Sequence, residues 1–409
     1  MAGEDLMRVE AALASVLARA EPLESETVSL AQAYGRTLAQ DVASTRTQPP
    51  FDVSAMDGYA LRAGDCAAVP ARLRVIGAST AGHSFAGSIG EGEAVRIFTG
   101  AVVPDGADSV LIQENAAAEG DHVIVREAVA IGRNIRRAGL DFAAGDVLLR
   151  AGRRRAANEL ALAAAMNHPA LPVVRRPRVA ILATGDELVR PGTQPGPDQI
   201  VASNSFAIAA HVLAAGGEPL DLGIAADTVE ALEAGILAAR AARADVLVTL
   251  GGASVGDHDL VKSALSQQGM VLGFWRIAMR PGKPLIHGHL GPMHILGLPG
   301  NPVSSIVCGI LFLIPLVRAL SGDAKAGSDI TEPAALGKAV EANDGRQDYL
   351  RAALTFDAAG HCIATPFPRQ DSSMLRILAE AECLLVRAPH APASGAGAAC
   401  RIVRLDRRA

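Results

Sequence analysis

The chain has 409 residues, half of them hydrophobic but only 3% aromatic, and a net charge of −5. That length leaves room for several domains, whose cores small aliphatic residues must fill. The charge gives no case for a nucleic-acid partner, and no cationic stretch leading into an apolar one marks a secretory signal. The longest apolar run, residues 306–317, is too short to span a bilayer and contains Gly309 and Pro315, so it reads as a buried core or dimer-interface helix rather than a membrane segment. None of the five cysteines lies in a C-x-x-C pair, which points to neither a zinc ribbon nor a disulfide framework. The expectation is a soluble cytoplasmic protein.

Leu6, Val9, Leu13, Val16 and Leu17 recur at helical spacing and predict an amphipathic N-terminal helix. Residues 29–43 are mixed and end extended. The stretch Pro49-Pro50-Phe51-Asp52-Val53-Ser54-Ala55-Met56-Asp57-Gly58-Tyr59-Ala60 then combines turn residues with two acids. Short β-like runs follow at 73–78, 94–98, 109–113 and 122–126, separated by Gly and Pro, and suggest a small β domain of barrel type. Two of its loops are richer than connectors need. One runs from Thr99 to Asp108. The other holds Asn134-Ile135-Arg136-Arg137-Ala138-Gly139-Leu140-Asp141. Paired arginines suit forked binding of phosphate or carboxylate, and they equally suit an exposed salt-bridged turn. Arg153-Arg154-Arg155 reads as a solvated run before a helix over 158–166.

Residues 178–320 read as strand–loop–helix units. Apolar runs at 179–183, 246–250 and 294–298 each end in a polar loop: Thr184-Gly185-Asp186-Glu187, Gly251-Gly252-Ala253-Ser254-Val255-Gly256-Asp257-His258-Asp259, and Pro299-Gly300-Asn301-Pro302. Such alternation argues for a parallel sheet, and ligands bind beyond the carboxyl ends of its strands. Glycines permit close backbone approach. Asn301-Pro302 signals a helix start whose first amides favour an anion. Glu187, Asp257 and Asp259, brought together, would repel one another and attract a hard cation such as Mg²⁺. Asp257 and Asp259 also suit plain helix capping, as does Asp227 beside Thr228. Arg276, Arg280 and Lys283 form a basic loop fit to receive phosphates. His287, His289 and His294 lack acidic companions at ligand-like spacing and read as structural polar residues rather than a metal triad.

A linker follows at 321–328. Short alternating runs at 336–340, 349–354, 362–366, 383–387 and 400–405 then predict a C-terminal β domain, with one helical turn starting at Ser372-Ser373. Arg346 and Arg351 flank a strand start, where they suit either an anionic ligand or the bare surface.

Taken in order, these motifs resemble the molybdopterin molybdotransferase family, which includes bacterial MoeA and the gephyrin E domain. The carriers are residues 50–60, Thr99-Gly100 with Pro104-Asp105-Gly106-Ala107-Asp108, Thr184-Gly185-Asp186-Glu187-Leu188, Arg280-Pro281-Gly282-Lys283-Pro284 and Leu298-Pro299-Gly300-Asn301-Pro302-Val303-Ser304. The resemblance covers essentially the whole chain. It implies a multidomain α/β and β fold. An elongated N-terminal domain comes from 1–44 with 144–176, and a β-barrel-like domain is inserted at 45–143. A parallel-sheet α/β domain of molybdopterin-adenylyltransferase type spans 177–321, and a β domain spans 322–409.

The resemblance also implies a homodimer with a site between subunits. The implied reaction takes adenylylated molybdopterin and molybdate, releases AMP and leaves molybdenum on the dithiolene, with Mg²⁺ required. Carried over by motif, Glu187, Asp227, Asp257 and Asp259 hold or orient the metal and nucleotide. Lys283, Arg280 and Arg276 face phosphate or molybdate. Gly251, Gly252 and Ser254 with Pro299, Gly300, Asn301 and Pro302 shape the anion-binding backbone. Asp57, Thr99, Arg136 and Asp141 contribute from the partner subunit. Arg351, Ser372 and Ser373 reach in from the tail. The molybdopterin adenylyltransferase of the pathway is a further implied partner.

Leu250 departs from the family's usual Ser before Gly-Gly, removing a hydroxyl near the nucleotide. Arg276 and Arg280 stand where lysines are common, keeping charge while changing geometry. Two other readings compete: an adenylyltransferase, because the α/β domain is shared, and a non-catalytic molybdopterin-binding scaffold. The additional domains and the intact acidic, glycine-rich loops favour the insertase.

Overall fold

A computed structural model describes residues 6–252 and 260–405. Ser254, Asp257 and Asp259 lie outside the described residues. Among the described residues, the central sheet is six-stranded. Numbered within this sheet, its strands are Arg178–Thr184 (β1), Glu218–Ala225 (β2), Val246–Leu250 (β3), Val271–Arg276 (β4), Pro284–Leu290 (β5) and Met293–Leu298 (β6). Their order is β2-β1-β3-β6-β5-β4. The first four run parallel, with Ala180 beside Leu247 and Leu247 beside Ile295. The parallel sheet expected from the three apolar runs is therefore present, but it continues into the antiparallel pair β5 and β4. The sequence reading left both of these strands unassigned. In β5 the alternating signal is masked because His287, Gly288 and His289 occupy buried positions.

The helices are Val9–Leu17 (α1), Ala157–Ala165 (α2), Asn204–Ala215 (α3), Val229–Ala241 (α4), Leu260–Gln267 (α5), Pro302–Leu320 (α6) and Leu375–Glu380 (α7). Of these, α2 packs not on the central sheet but with Leu38, Val42 and Leu171 of the N-terminal pieces. One face packs α1, α3 and α6 over Val179, Ile181, Val248, Leu296 and Leu298. The other packs α4 and α5 over Ala180, Leu182, Leu247 and Ile295. Burial on both faces explains why β1, β3 and β6 read as unbroken apolar runs.

Helix α6 is longer than its apolar run suggested. At 19 residues it is long and apolar enough to cross a membrane by length and composition alone, yet 72% of it is buried inside the fold. It is the core helix of this face. Residues 309–313 widen into π geometry just before Pro315, which has no N–H for the regular i→i−4 bond. Gly309 lets α3 approach closely, because a Cβ there would come within 2.9 Å of the Ile208 side chain.

The chain's first piece joins the piece following the inserted β segment. Ser25–Ser29 pairs antiparallel with Ala170–Val174, and Val42–Ala43 with Val147–Leu149. Between them, described strands form a second six-stranded sheet, in the order Ser109–Ile112, Gly58–Leu61, Glu93–Ile97, Ala71–Ser79, His122–Val125 and Ala116–Glu119. A third sheet holds Thr331–Leu336, Gln347–Phe356, Cys362–Pro366, Cys383–Arg387 and Ala399–Arg404, with Met279–Arg280 added at its edge. The run expected at 336–340 lies almost entirely past the observed strand, which ends at Leu336. All five cysteines are free.

Two buried polar features bear on the sequence reading. Arg351, expected at a ligand or on the surface, is 1% exposed. Its Nη2 donates to the Asp371 carbonyl at 3.0 Å, and burial pulls its pKa down. His287, His289 and His294 are all buried on β5 and β6. Burial pushes His287 down to about 3 and His294 to about 4, so both rings are neutral.

Phe312 is fully buried in the middle of α6. Phe312→Ala is expected to cost about 3–5 kcal/mol. Trp275, the chain's one tryptophan, lies on β4 of the same sheet and reports unfolding locally. Its denaturant midpoint should fall. An unchanged midpoint would mean that α6 does not hold this core together.

Candidate functional site

The parallel strands β1, β2, β3 and β6 leave the sheet at one edge, and their exits line a cavity of about 740 Å³. Beyond β1, Gly185 turns the chain at φ +148, and a Cβ there would run into the Glu187 carboxylate. Glu187 is exposed at the cavity, on a flap in which Leu188–Val189 pairs with Ile200–Val201. Beyond β2, the Asp227 backbone N–H donates to Asp186 Oδ1 at 3.1 Å, tying the two acidic loops together. Thr228, not Asp227, caps α4: its Oγ1 accepts from the Ala231 N–H at 3.2 Å. The carboxylate of Asp227 is thereby left for the cavity, which it lines. Partial desolvation of this otherwise exposed side chain raises its pKa, and the negative charges of Asp186 and Glu187 raise it further.

Beyond β3, Gly251 and Gly252 both take left-handed backbone, φ +99 and +67. A Cβ on Gly251 would come within 2.7 Å of the Thr184 carbonyl, so both positions demand glycine. The Leu250 side chain lies in the core beside Val248 and Leu298. Leu250 also lines the cavity, so loss of a hydroxyl there makes that part of the wall apolar.

Beyond β6, Pro299, Gly300, Asn301 and Pro302 form the opposite wall. Asn204 Nδ2 donates to the Gly300 carbonyl at 2.7 Å and holds this turn in place. The anion-binding expectation for α6 needs correction in detail. Pro302 has no N–H, and the Val303 N–H already donates to the Ser372 carbonyl at 3.1 Å. The wall thus offers fewer open amides than a bare helix start.

Among the tail residues, Ser373 lines the cavity, with its N–H and Oγ both donating to Asp371 Oδ1 at 2.8 and 2.5 Å. Ser372 does not line the cavity; its carbonyl accepts the Val303 N–H behind the turn. Arg351 does not line the cavity; it lies behind it, fastening the loop at Asp371.

The basic loop is only partly delivered. Lys283 is half-buried next to Pro284, which lines the cavity. Arg280 ion-pairs with Asp348 of the C-terminal sheet and, at 3.4 Å, with Asp344 in the loop before its strand Gln347–Phe356. The guanidinium of Arg276 lies 4.2 Å from the centre of the Trp275 ring, with Lys262 Nζ 4.0 Å from the same ring centre. Neither arginine lines the cavity.

Asp57, Thr99, Arg136 and Asp141 do not line it either; they belong to the inserted β segment. There Asp57 Oδ1 accepts from the Thr99 N–H at 2.7 Å and from its Oγ1 at 2.8 Å. These two hydrogen bonds, the backbone one first, hold Asp57 below the usual carboxylate range. Arg136 and Asp141 are exposed.

Sequence reasoning missed Asn204 and Asp186 as organisers of the site. Asn204 opens α3 within the run Ser203-Asn204-Ser205, but its reach to Gly300 spans residues distant in sequence. Asp186 stood inside a recognised loop; only its bond to the Asp227 backbone gives it a role.

Comparison with known proteins yields one assignment. Residues 7–167 match the MoeA N-terminal region (domain I and II), 180–319 a probable molybdopterin binding domain, and 333–405 the MoeA C-terminal region (domain IV). A molybdopterin molybdenumtransferase from Nostoc sp. is 41% identical over 74% of this chain and 71% of its own length. One from Haemophilus influenzae is 34% identical over 89% and 90%. A crystal structure of a MoeA protein from Pyrococcus horikoshii, 26% identical, superposes with a TM-score of 0.84 over 98% of this chain and 100% of its own.

The acidic pair makes a prediction of its own. Glu187→Gln removes one charge that raises Asp227, so the Asp227 pKa should move down toward the ordinary value, read by carboxyl ¹³C NMR titration. Because the folded pKa is raised, the stability linked to protonated Asp227 is full below its unfolded pKa. It is lost as pH rises through the folded pKa, and the variant should shift that loss to lower pH. An unmoved Asp227 pKa would show that the two carboxylates do not share a field.

Proposed function

The chain belongs to the molybdopterin molybdenumtransferase (MoeA) family, and on that premise we propose that it inserts molybdenum from molybdate into adenylylated molybdopterin, releasing AMP. The observation that carries this reading is the single cavity joining Glu187 and Asp227 to the Gly251-Gly252 and 299–302 backbone. A substrate with a phosphoanhydride needs both walls: close-approach backbone for its phosphates and acids able to share a cation with it.

The residues fit a hard divalent cation such as Mg²⁺. Glu187, Asp227 and Asp186 offer carboxylate oxygens, and the Asp227 pKa is raised first by desolvation and then by the negative charges of Asp186 and Glu187. Glu187 and Asp227 would hold the ion. When bound, it offsets charge on the phosphoryl oxygens of the scissile link. This chain's own residues do the remainder. Gly251 and Gly252 let phosphate oxygens approach the main chain. Asn204 fixes the 299–302 turn through Gly300. Lys283, next to Pro284 on the cavity wall, supplies a positive charge toward the leaving AMP or the incoming oxyanion.

The pre-formed Asp57–Thr99 pair supports a second part of the proposal. It is organised by its own hydrogen bonds yet lies outside this chain's cavity. We assign it to the cavity of a partner copy in a symmetric homodimer.

Incubation with adenylylated molybdopterin and Mg²⁺ should give AMP release that depends on molybdate. Asp227→Asn and Glu187→Ala should lower turnover by roughly 10²-fold with Trp275 fluorescence unchanged. Lys283→Ala should weaken binding of the anionic substrate. AMP release indifferent to molybdate, or wild-type turnover in either acid variant, would overturn the assignment.

Intersubunit contribution has a separate readout. Asp57→Asn and Glu187→Ala chains, each inactive, should regain about a quarter of wild-type activity when mixed and allowed to exchange subunits, because half the dimers then carry one intact site. No recovery despite proven exchange would place Asp57 and Glu187 in the same site of one chain, or Asp57 in none.

A further inference from the structure

The end of the central sheet remote from the cavity carries a different chemistry. Strands β5 and β6 are antiparallel, and His289 stands directly opposite His294. His287 lies two residues along β5 and therefore on the same face. The ring centres of His289 and His294 are 4.5 Å apart, and those of His287 and His289 are 5.1 Å apart. All three residues are buried, at 1%, 8% and 3% exposure for His287, His289 and His294.

A nitrogen from each ring lies within 4.8 Å of the other two. Among the described residues, neither ring nitrogen of His287 has a hydrogen-bond partner, and nor does His294 Nδ1. Buried polar atoms are ordinarily paired, so a His287 ring with no partner at either nitrogen and an unpartnered His294 Nδ1, both beside His289, call for a ligand. The neighbouring strand packs closely here: Gly273 on β4 lies against His287, where a Cβ would come within 2.9 Å of its Nδ1.

We propose that His287, His289 and His294 form a binding site for a borderline divalent transition cation of the zinc class. Imidazole nitrogen selects such ions, whereas the carboxylate oxygens at the other end of the sheet select hard ones. Three imidazoles leave a fourth position for water. His294 also lines an open cavity of about 660 Å³ together with Arg175, Asp245, Leu290 and Met293, which gives an entry path.

Tetrahedral coordination places ligand nitrogens about 3.4 Å apart, so side-chain rotation needs to close the widest pair by at most about 1.4 Å. The charged groups facing the trio are Arg19 and Asp245. Arg19 opposes a cation but is exposed and has solvent to turn into. Asp245 already holds Arg175 through both carboxylate oxygens at 2.8 Å and so acts at a distance. The ion would clamp the β5–β6 hairpin at the sheet edge.

The chelator-treated full-length chain, titrated with Co²⁺, tests this. One equivalent per chain should give intense visible absorption of tetrahedral type, discharged by Zn²⁺. His287→Gln and His294→Gln should each weaken Co²⁺ binding tenfold or more. Weak octahedral absorption that survives the double substitution would place the ion on surface groups and overturn the proposal. Should the variants fail to fold, X-ray absorption of the zinc-loaded wild-type chain decides. Three imidazole nitrogens per zinc support the site, and fewer than three contradict it.

Discussion

Everything at the candidate site depends on the parallel register of four strands. With Val179 beside Val246 and Val246 beside His294, the strands β1, β3 and β6 end level, and β2 ends beside β1. A one-residue slip would turn buried side chains to the opposite face and separate the loops. Level ends put an acidic loop, a glycine pair and a proline-started helix around one opening. Local contacts then lock the loops to each other. The Gly251 N–H donates to the Leu298 carbonyl at 3.2 Å, Asp186 holds the Asp227 backbone, and Asn204 holds Gly300. The last contact places α3, packed on one face, in direct support of the turn that starts α6.

The two ends of the same sheet are specialised oppositely. At the carboxyl ends of the parallel strands the acids are exposed and mutually repulsive, which destabilises the isolated loops and favours a cation. At the far end, Asp245 anchors the entry to β1 by accepting from Arg175 and from the Arg178 N–H at 2.8 Å, while the imidazoles are dry. Hard-oxygen and imidazole chemistry are thus kept apart by the length of the strands, so two classes of ion need not compete for one set of ligands.

Much of the fold was legible because burial on both faces writes itself as apolar runs. β1, β3 and β6 were readable from Val, Ile and Leu alone. The elements that escaped are those where side-chain chemistry contradicts the strand pattern. His287 and His289 hide β5, and a basic loop was read where Met279–Arg280 in fact joins the C-terminal sheet. Capping was ambiguous at Asp227-Thr228 because both side chains can cap, and only the bond to Ala231 separates them. The site itself was legible as motifs but not as contacts. No spacing rule places a buried Arg351 behind Ser373, or gives the Val303 amide to Ser372. Asp57 and Thr99 are 42 residues apart and meet only through strand pairing in the inserted sheet.

The central claim is that Glu187 and Asp227 at the ends of β1 and β2, and the turn beyond β6, serve one substrate and one hard cation. The most direct measurement is anomalous diffraction from crystals grown with Mn²⁺ in place of Mg²⁺ and with adenylylated molybdopterin. The account predicts a manganese peak within coordination distance of Glu187 and Asp227, with the pyrophosphate against Gly251, Gly252 and the 299–302 turn. A well-ordered substrate elsewhere, or manganese bound without either carboxylate, would contradict it.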